Sequence, residues 1–487
     1  MKNDIPSPSS FVRATLLIVL GLIAPAVGPA AVPAADASPR PNVLFFFTDD
    51  QRPDTIQALG NPHIRTPNLD RLASQGVAFT HAYIMGGLQG AVCVPSRAML
   101  MTSRGLFRVK DNLAGQTTWP EQFARAGYRT FMTGKWHNGA ASAVRAFQEG
   151  RNAYFGGMSP AYNMPVQDFK AGQGPGPKHT SPLHHTELFA NTAIEFLREQ
   201  TNGQPFLCYV AFKSPHDPRT ATPAWHDYYR AHSPPLPANL APMHPFDNGE
   251  MTVRDEKLLP WPRTPEAVRR ELEDYYACIS HVDEQIGRVL AALRERGLET
   301  NTLVAFAGDN GLAIGSHGLM GKQNVYEHSV RVPLLLAGPG IPKGRRTDAF
   351  CYLLDVFPTL AELVGVPMLP EMEGRSLAPL FAERPAPVRD SVFTAYRSFQ
   401  RAVRDRQWKL IRYPQINKTQ LFNLDKDPDE LRDLSALPEF ADNLARLRRL
   451  LEEQQRAFGD TLPLEVVNPK PAAWSPPAPD AKPSGKP

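Results

Sequence analysis

The feature of this chain that most constrains its fold is a series of short, continuously apolar runs. These runs do not alternate apolar with polar residues, and a strand that is buried on both faces has this pattern. We predict buried parallel strands at residues 43–47, 130–132, 206–212, 303–307 and 332–337.

Helical patterns separate these runs, with apolar residues recurring every three or four positions. Several of the patterns end at a glycine, which favours the left-handed backbone that ends a helix. An alternation of such strands and helices predicts an α/β fold, in which helices cover both faces of a large, mostly parallel or mixed central sheet. The predicted helices cover residues 67–76, 118–127, 185–200, 266–297 and 352–365.

The composition changes toward the C-terminus, and we predict three regions after the N-terminal segment. The main α/β domain covers residues 38–384. Shorter and more polar strand-like segments, followed by a helical one, predict a small α+β subdomain with an antiparallel sheet at residues 385–465. Residues 466–487 are rich in proline and poor in large aliphatic side chains, so we expect a disordered tail.

The N-terminus has the pattern of a secretory signal peptide. Lys2 and Arg13 precede a short apolar core, and small residues follow it. The core is too short for a permanent membrane span, and no later stretch reaches the roughly 20 apolar residues that a span needs. We therefore expect residues 1–37 to be removed, with cleavage after Ala34 or Ala37, and the protein to be periplasmic or secreted. A retained N-terminal anchor is the alternative.

Charge and cysteine content exclude some classes of protein. The formal net charge is only +4 over 487 residues, so a nucleic-acid partner is not expected. The four cysteines are far apart and lack the spacing of a zinc site or of a dense disulfide framework. Two of them, Cys208 and Cys278, lie inside apolar runs and are predicted to be packed thiols.

Polar side chains follow four of the predicted strands. Open α/β sheets bind ligands beyond the carboxyl ends of their strands, so these residues indicate a site at that edge. A single polar strand end would be explained by a helix cap, but four together are not. In chain order the residues are Asp49 and Asp50, then Lys135 and His137, then His216, and finally Asp309 and Asn310.

Two of these strand ends carry oxygen ligands only. Asp49 and Asp50 form one pair, and Asp309 and Asn310 form the other. Hard cations such as Ca²⁺ and Mg²⁺ prefer such ligands, whereas zinc prefers histidine or cysteine. The presence of two pairs favours a metal site over simple helix capping.

The cationic candidates lie beside apolar strands and glycines. Lys135 and His137 are two residues apart, so in extended chain they face the same side. Lys322 lies in a glycine-rich loop that can approach a ligand closely. A lone lysine or histidine is more often a solvated surface group, and the setting favours the functional interpretation.

The segment CVPSR, residues 93–97, joins these two sets. Pro95 suits the first turn of a helix, so Cys93 lies at a helix N-terminus, where free N–H groups favour anions. Arg97, one turn further on, can bind an anionic oxygen with two hydrogen bonds. A cysteine-derived nucleophile beside a hard cation predicts hydrolysis of an oxyanion ester, and the residues alone leave sulfate and phosphate both open.

CVPSR also matches the C-x-P-S-R signature of type I sulfatases, members of the alkaline phosphatase-like superfamily. The resemblance extends over most of the chain and in family order, including PNVLFFFTDDQ, AGYRTFMTGKWHNG, KSPHDP and GDNGLAIGSHGLMGKQNVYEHS. It implies that a formylglycine-generating enzyme oxidises Cys93 to Cα-formylglycine. One departure is Ser103, in TSR where the family usually has TGR, a segment that assists recognition by that enzyme.

The resemblance implies one Ca²⁺ per chain. Its ligands would be Asp49, Asp50, Asp309 and Asn310, together with an oxygen of the modified Cys93. The hydrated aldehyde of that residue would attack the sulfate, and Asp309 would take its proton.

The resemblance also implies roles for the cationic residues. Lys135 and Arg97 would offset the charge of the sulfuryl oxygens. His216, assisted by Lys322, would protonate the departing alcohol. His137 would take a proton from the second hydroxyl of the aldehyde hydrate, which expels sulfate.

The expected function is therefore hydrolysis of a sulfate ester. Long loop-rich segments at residues 150–183 and 217–265 suit a sulfated sugar or polysaccharide, with choline sulfate and aryl sulfates as alternatives. Two other readings stay open: a phosphate or phosphonate ester hydrolase of the same superfamily, and a secreted binding protein without turnover. Several histidines could line the substrate pocket or merely hold loops, namely His63, His184, His185 and His317.

Overall fold

The computed structural model describes residues 40–201 and 203–477. The predicted signal peptide, residues 1–37, and residues 478–487 of the predicted tail lie outside the described residues. Among the described helices, none is both long and apolar enough to cross a membrane.

A large sheet forms the centre of the molecule. Its strands, eleven among the described residues, are β1 (Asn42–Asp49), β2 (Gly76–Tyr83), β4 (Arg129–Lys135), β5 (Glu149–Tyr154), β6 (Gln167–Lys170), β7 (Gly174–Pro175), β8 (Phe206–Pro215), β9 (Thr302–Gly308), β10 (Arg331–Ala337), β11 (Arg345–Thr347) and β12 (Cys351–Tyr352). Their order across the sheet is β11-β2-β10-β9-β1-β8-β4-β5-β6-β7, and β12 pairs with β2. Strand β3 belongs to a second sheet.

The middle of this sheet is parallel, as predicted. Strand β1 pairs in parallel with β8 and β9, and β4 pairs in parallel with β8. The parallel direction predicted for residues 332–337 was wrong, because β10 runs antiparallel to both β9 and β2. The link from β9 to β10, residues 309–330, contains no helix other than the four-residue Glu327–Val330, so no crossover helix carries the chain to the opposite edge. The chain therefore re-enters the sheet from the edge at which it left.

Helices cover both faces of the sheet. They are α1 (Pro67–Ser74), α2 (Cys93–Thr102), α3 (Trp119–Arg125), α4 (Ala140–Ala146), α5 (His185–Arg198), α6 (Pro223–Ala231), α7 (Pro265–Glu295), α8 (Glu327–Val330), α9 (Val356–Val364) and α10 (Ala441–Phe458). Each predicted helix is present. The one expected at 352–365 starts later, because residues 351–352 pair with β2 and a 3-10 turn follows at 353–355.

Side chains of β1 show why its sequence does not alternate. Phe45 and Phe47 enter one hydrophobic core, which they share with α2, α3 and α9. Leu44 and Phe46 enter another, which they share with α1, α5 and α7. Burial on both faces requires apolar residues at successive positions, and this confirms the predicted α/β architecture.

The C-terminal part forms a second sheet of five strands within the described residues. Its order is β16 (Lys418–Asn423), β15 (Trp408–Tyr413), β14 (Gln400–Arg404), β13 (Val392–Tyr396) and β3 (Gly86–Gly87). The first four are antiparallel, which confirms the prediction of an antiparallel sheet. Strand β3 pairs with β13 in parallel and comes from the segment just before Cys93. The C-terminal sheet thus holds the chain where it enters α2.

The described part of the predicted tail contacts the rest of the chain at a few points. Residues 466–477 form no helix or strand, but the ring of Trp474 packs against Trp261 with centroids 5.4 Å apart. The N–H of Asp247 also donates to the carbonyl of Ala472 at 2.8 Å. Proline-rich chain lacks regular hydrogen bonds, and this segment contacts the folded protein through an aromatic side chain and a backbone bond instead.

Ser103 ends helix α2 in the left-handed region, at φ +56°. Its hydroxyl donates to the carbonyl of Leu354 at 2.6 Å. We expect Ser103→Ala to lower the free energy of unfolding by about 1 kcal/mol, because the hydrogen bond is lost and the strained backbone is kept. Ser103→Gly loses the same bond but relieves about 1 kcal/mol of backbone strain. Urea unfolding should therefore find the glycine variant more stable than the alanine variant, and the reverse order would contradict this account.

Candidate active site

The predicted site residues meet at one edge of the main sheet. Strands β4, β8, β1 and β9 are consecutive neighbours and parallel, so their carboxyl ends lie side by side. This brings together residues that are far apart in sequence, and α2 adds two more from above the edge. His137 is partly exposed. The other predicted site residues are buried and expose no more than 6% of their surface: Asp49, Asp50, Cys93, Arg97, Lys135, His216, Asp309, Asn310 and Lys322.

The side-chain atoms that could bind a metal ion form a compact set. Asp49, Asp309 and Cys93 offer atoms that all lie within 4.8 Å of one another. The backbone N–H of Asp50 donates to Oδ1 of Asp309 at 2.9 Å, and the amide of Asn310 donates to Oδ1 of Asp50 at 2.8 Å.

Two of these oxygens have no hydrogen-bond partner among the described residues, although they are buried. They are Oδ1 of Asp49 and Oδ1 of Asn310. Buried polar atoms are usually satisfied, so unpartnered oxygens within a carboxylate cluster fit a hard cation such as Ca²⁺.

Each carboxylate of the cluster also pairs with a cationic side chain. Lys135 contacts Asp49. Nε of Arg97 donates to Oδ2 of Asp309 at 2.9 Å, and Nζ of Lys322 donates to Oδ1 of Asp50 at 2.6 Å. Burial disfavours the charged form of each of these side chains. In each pair the positive charge of the lysine or arginine offsets the negative charge of the carboxylate.

Burial and neighbouring charges shift the pKa of Asp49 and that of Asp309 in opposite directions. Burial acts to raise the pKa of Asp49, but the neighbouring Lys135, His216 and Arg97 outweigh it and hold the pKa well below its usual range. Burial, followed by the charge of Asp49, raises the pKa of Asp309 to about 7. Asp309 is therefore the carboxylate best suited to exchange a proton near neutral pH.

Cys93 is the first residue of α2 and is fully buried. Its Sγ lies 3.2 Å from Nδ1 of His137 and 3.9 Å from Nζ of Lys322. Burial raises the pKa of the thiol to about 11, against the opposing effect of the two nearby lysines. The thiol is therefore protonated at neutral pH and a weak nucleophile.

Arg97 lies one helical turn after Cys93, as expected. Its NH1 donates to the carbonyl of Lys135 at 2.8 Å, and its guanidinium lies over the ring of Phe47 at 4.9 Å. The hydroxyl of Ser96 donates to the backbone carbonyl of Asp309 at 2.5 Å, which ties α2 to the end of β9. Tertiary contacts therefore hold Arg97 beside the carboxylates.

The two histidines face the cluster from different strands. Nδ1 of His216 donates to the carbonyl of Asp217 at 2.8 Å, and Nε2 lies 3.7 Å from Oδ2 of Asp50. Burial, followed by the charges of Lys322 and Lys135, holds the pKa of His216 well below its usual range. Burial and Lys135 lower the pKa of His137 to about 3. Neutral imidazoles can accept a proton as well as pass one on.

The other histidines lie apart from this cluster. His317 stacks on Tyr326 at 4.0 Å, and His63 is exposed. His184 and His185 are buried and pack against each other with ring centroids 4.4 Å apart. None of these four is among the residues that contact Cys93 or the carboxylates in the described chain.

The structure adds two contacts that sequence reasoning missed. The hydroxyl of Tyr275, on α7, donates to the carbonyl of Asp50 at 2.6 Å. Lys213, within β8, reaches the backbone next to His216. A lysine inside an apolar strand is a signal in the sequence, whereas the tyrosine on a long helix gives none.

A comparison with protein families decides between the remaining readings. The model described as "Sulfatase" matches residues 41–366, which covers the whole site described above. The chain belongs to the sulfatase family. The model described as "N-sulphoglucosamine sulphohydrolase, C-terminal" matches residues 315–457 of the sulfatase, which include the four antiparallel strands β13 to β16 of its second sheet.

Named relatives span nearly the whole sulfatase. The N-acetylglucosamine-6-O-sulfatase of Bacteroides thetaiotaomicron is 26% identical, over 96% of this chain and 95% of the relative. The choline-sulfatase of Rhizobium meliloti is 30% identical, over 82% of this chain and 83% of the relative. The activity that the family resemblance implied, that of a sulfuric ester hydrolase, is confirmed.

Solved structures share the fold. One protein, solved in complex with its substrate D-glucosamine-2-N,6-O-disulfate, has a TM-score of 0.74 and 25% identity, covering 87% of this chain and 99% of that one. The phosphonate monoester hydrolase of Agrobacterium radiobacter has a TM-score of 0.69 at 22% identity, covering 86% of this chain and 96% of that one. The second likeness concerns the fold alone and agrees with the alkaline phosphatase-like superfamily.

Proposed function

We propose that this sulfatase removes sulfate from a sulfate ester carried by a carbohydrate, releasing the sugar alcohol and inorganic sulfate. The observation that carries the proposal is the match to the N-acetylglucosamine-6-O-sulfatase over 96% of the chain, so that both sheets are included. The match of residues 315–457 to a C-terminal region described for a sulphoglucosamine enzyme supports it.

The surroundings of the site agree with a sugar substrate. Cys93 and the carboxylates are buried, so only the sulfate end of a substrate reaches them. Gly157 lies so close to His137 that a Cβ there would be 2.8 Å from Nε2. In the same segment, Met158 and Tyr162 are 46% and 42% exposed. Exposed apolar side chains in the segment that packs against His137 suit the apolar face of a sugar ring.

The proposed nucleophile is formylglycine, made from Cys93 by a formylglycine-generating enzyme. The buried thiol, with a pKa raised to about 11, is unsuited to attack at neutral pH. Because the whole of CVPSR except Val94 is buried, that enzyme would need the segment before folding is complete. Asp49, Asp50, Asp309 and Asn310 would hold Ca²⁺, which acts as a Lewis acid toward the sulfate and the nucleophile when bound.

The chain's own residues handle the charges and protons. Lys135 and Arg97, both buried against the carboxylates, offset negative charge on the sulfuryl oxygens. Asp309, whose carboxylate lies within 4.8 Å of Sγ of Cys93, accepts a proton from the attacking group. His137, 3.2 Å from Sγ of Cys93, takes a proton from the modified side chain when sulfate leaves.

Departure of the alcohol needs a proton donor. His216 presents Nε2 to the site, 3.7 Å from Asp50. Lys322 bridges Asp50 and Cys93 and assists from the opposite side of the same carboxylate. We assign His216 as the general acid that protonates the ester oxygen, since a sugar alkoxide is a poor leaving group without a proton.

We further propose that the sulfatase is exported, with residues 1–37 as its signal peptide. Residues 38–384 then form the catalytic domain, and residues 385–465 the C-terminal subdomain that holds the segment before Cys93 through β3 and β13.

A substrate panel tests the proposed function. The sulfatase is coexpressed with a formylglycine-generating enzyme, and mass spectrometry of the peptide containing Cys93 confirms conversion. We expect kcat/KM for a sulfated amino sugar to exceed that for choline sulfate by at least about tenfold, or ~1.4 kcal/mol in transition-state binding. A phosphonate monoester and a phosphate diester serve as further comparisons. A preference for choline sulfate or for a phosphorus ester would contradict the proposal.

A further inference from the structure

Lys213 is a buried cation close to the site that the mechanism above does not use. It lies within β8, three residues before His216, and its side chain is fully buried. Within the described chain, no carboxylate oxygen lies in ion-pair range of its Nζ, unlike that of Lys135 or Lys322. An ammonium group buried without a carboxylate is costly, so an apolar residue would be expected at this strand position.

The partners of Lys213 are two backbone carbonyls. Its Nζ donates to the carbonyl of Asp217 at 2.7 Å and to that of His216 at 3.3 Å. Burial, followed by the charge of Lys135, lowers the pKa of Lys213 to about 8. The side chain is thus mostly cationic at neutral pH and fixes the turn that carries His216.

The carbonyl of Asp217 is shared between Lys213 and His216. Nδ1 of His216 donates to this oxygen at 2.8 Å. Because a carbonyl only accepts, this bond places a proton on Nδ1 and leaves Nε2 as the ring nitrogen that faces Asp50. The carboxylate of Asp217 is a competing partner, with Oδ1 only 3.4 Å from Nδ1. A carbonyl held in place by Lys213 prevents the ring from turning toward that carboxylate.

We infer that Lys213 is a positioning residue for proton transfer to the leaving alcohol. It holds the Asp217 carbonyl, and that carbonyl sets the orientation of His216 with Nε2 toward the ester oxygen. The acting form of His216 carries a proton on each ring nitrogen. As the bond between sulfur and the ester oxygen breaks, its electron pair stays on that oxygen, the Nε2 proton moves to it, and the ring returns to the neutral form with its proton on Nδ1. The inference rests on the proposed role of His216 as general acid.

The dependence of kcat on the leaving group distinguishes a role of Lys213 in positioning His216 from a general loss of active-site structure. The leaving groups range from p-nitrophenolate, which departs without a proton, through the more basic phenolate of phenyl sulfate, to the alkoxide of a sugar sulfate, which needs a proton most. We expect His216→Gln to reduce kcat at least about 100-fold on the sugar sulfate but only slightly on p-nitrophenyl sulfate. Lys213→Met should show the same selectivity at about 10-fold or more, and Lys213→Arg, which keeps the charge, should recover part of the loss.

A double variant and a control sharpen this test. In the His216→Gln background, Lys213→Met should add little further loss, because the residue acts through His216. Ser214→Ala, which removes only the contact between Ser214 and the Thr186 hydroxyl, should leave the leaving-group dependence unchanged. Circular dichroism and thermal melting verify folding, and Lys213→Gln replaces the methionine variant if that variant does not fold.

Two outcomes would overturn the inference. One is an equal loss by the Lys213 variants on all leaving groups, and the other is multiplication of the two losses in the double variant. If His216→Gln itself shows no leaving-group dependence, the acid assignment under the proposed function fails as well. That result is read from the His216 variant alone, so the two failures are distinguishable.

Discussion

Replacing Cys93 by serine is expected to abolish multiple turnover, with a loss in kcat of at least about 10³-fold. A serine hydroxyl can attack sulfate once, but it lacks the second hydroxyl of an aldehyde hydrate that would expel the sulfate. The protein should therefore gain the mass of one sulfuryl group when it is incubated with substrate, or show no reaction at all. Intact-protein mass spectrometry together with a sulfate-release assay measures both outcomes.

Controls separate the role of Cys93 from that of a buried thiol in general. Cys208 is also fully buried, within β8, and contacts none of the site residues through its side chain among the described hydrogen bonds. Cys208→Ala should cost stability through lost packing while it keeps kcat within a few-fold. Multiple turnover by Cys93→Ser, or by wild-type protein that carries no formylglycine, would refute the proposed nucleophile.

The second large effect is expected at the metal ligands. Asp49→Asn should remove most of the activity and also the stabilisation by Ca²⁺, because the neutral amide binds a hard cation more weakly. For the wild type, Ca²⁺ at 100 times its dissociation constant should add about 2.7 kcal/mol to the free energy of unfolding. The variant should also be less stable in EDTA by about 3 kcal/mol, since Lys135 loses the partner of its buried charge.

Thermal and urea unfolding with and without Ca²⁺ measure these effects independently of turnover. Asp283→Asn is the matched control, because the Asp283 carboxylate is also buried but accepts from the N–H groups of Asn68 and Leu69 instead. That variant should lose stability and keep the full response to Ca²⁺. An unchanged Ca²⁺ response in Asp49→Asn, or none in the wild type, would exclude this cation site.

The elements that could be predicted from the sequence are those whose signal is local. Burial on both faces leaves a continuous apolar run, and this is why β1, β4, β8 and β9 were placed correctly. The polar residues after those runs were found by the same reasoning. An aspartate at the end of an apolar run, such as Asp49, or directly after one, such as Asp309, shows where the strand reaches the edge of the sheet. The role of CVPSR came from a signature, which is also local.

Other features depend on which segments meet in space. The antiparallel direction of β10 follows from the link at residues 309–330, which returns the chain to the same edge of the sheet without a crossover helix. The pairing of β3 with β13 holds the chain before Cys93 through residues more than 300 positions away. Neither leaves a pattern in the sequence, because the energy of a strand pairing depends on both partners, and the partner is chosen by the whole fold.

The sequence by itself therefore determined that this is an α/β enzyme with a carboxylate-rich site around Cys93. Only the tertiary structure decided the environment of each group. The Cys93 thiol is fully buried, Asp309 forms an ion pair with Arg97, and Lys213 donates to the carbonyl of the residue after His216. The physical reason is that residue types and their periodicity are properties of short segments. Burial, pairing and pKa arise from the sum of contacts across segments that are distant in the chain.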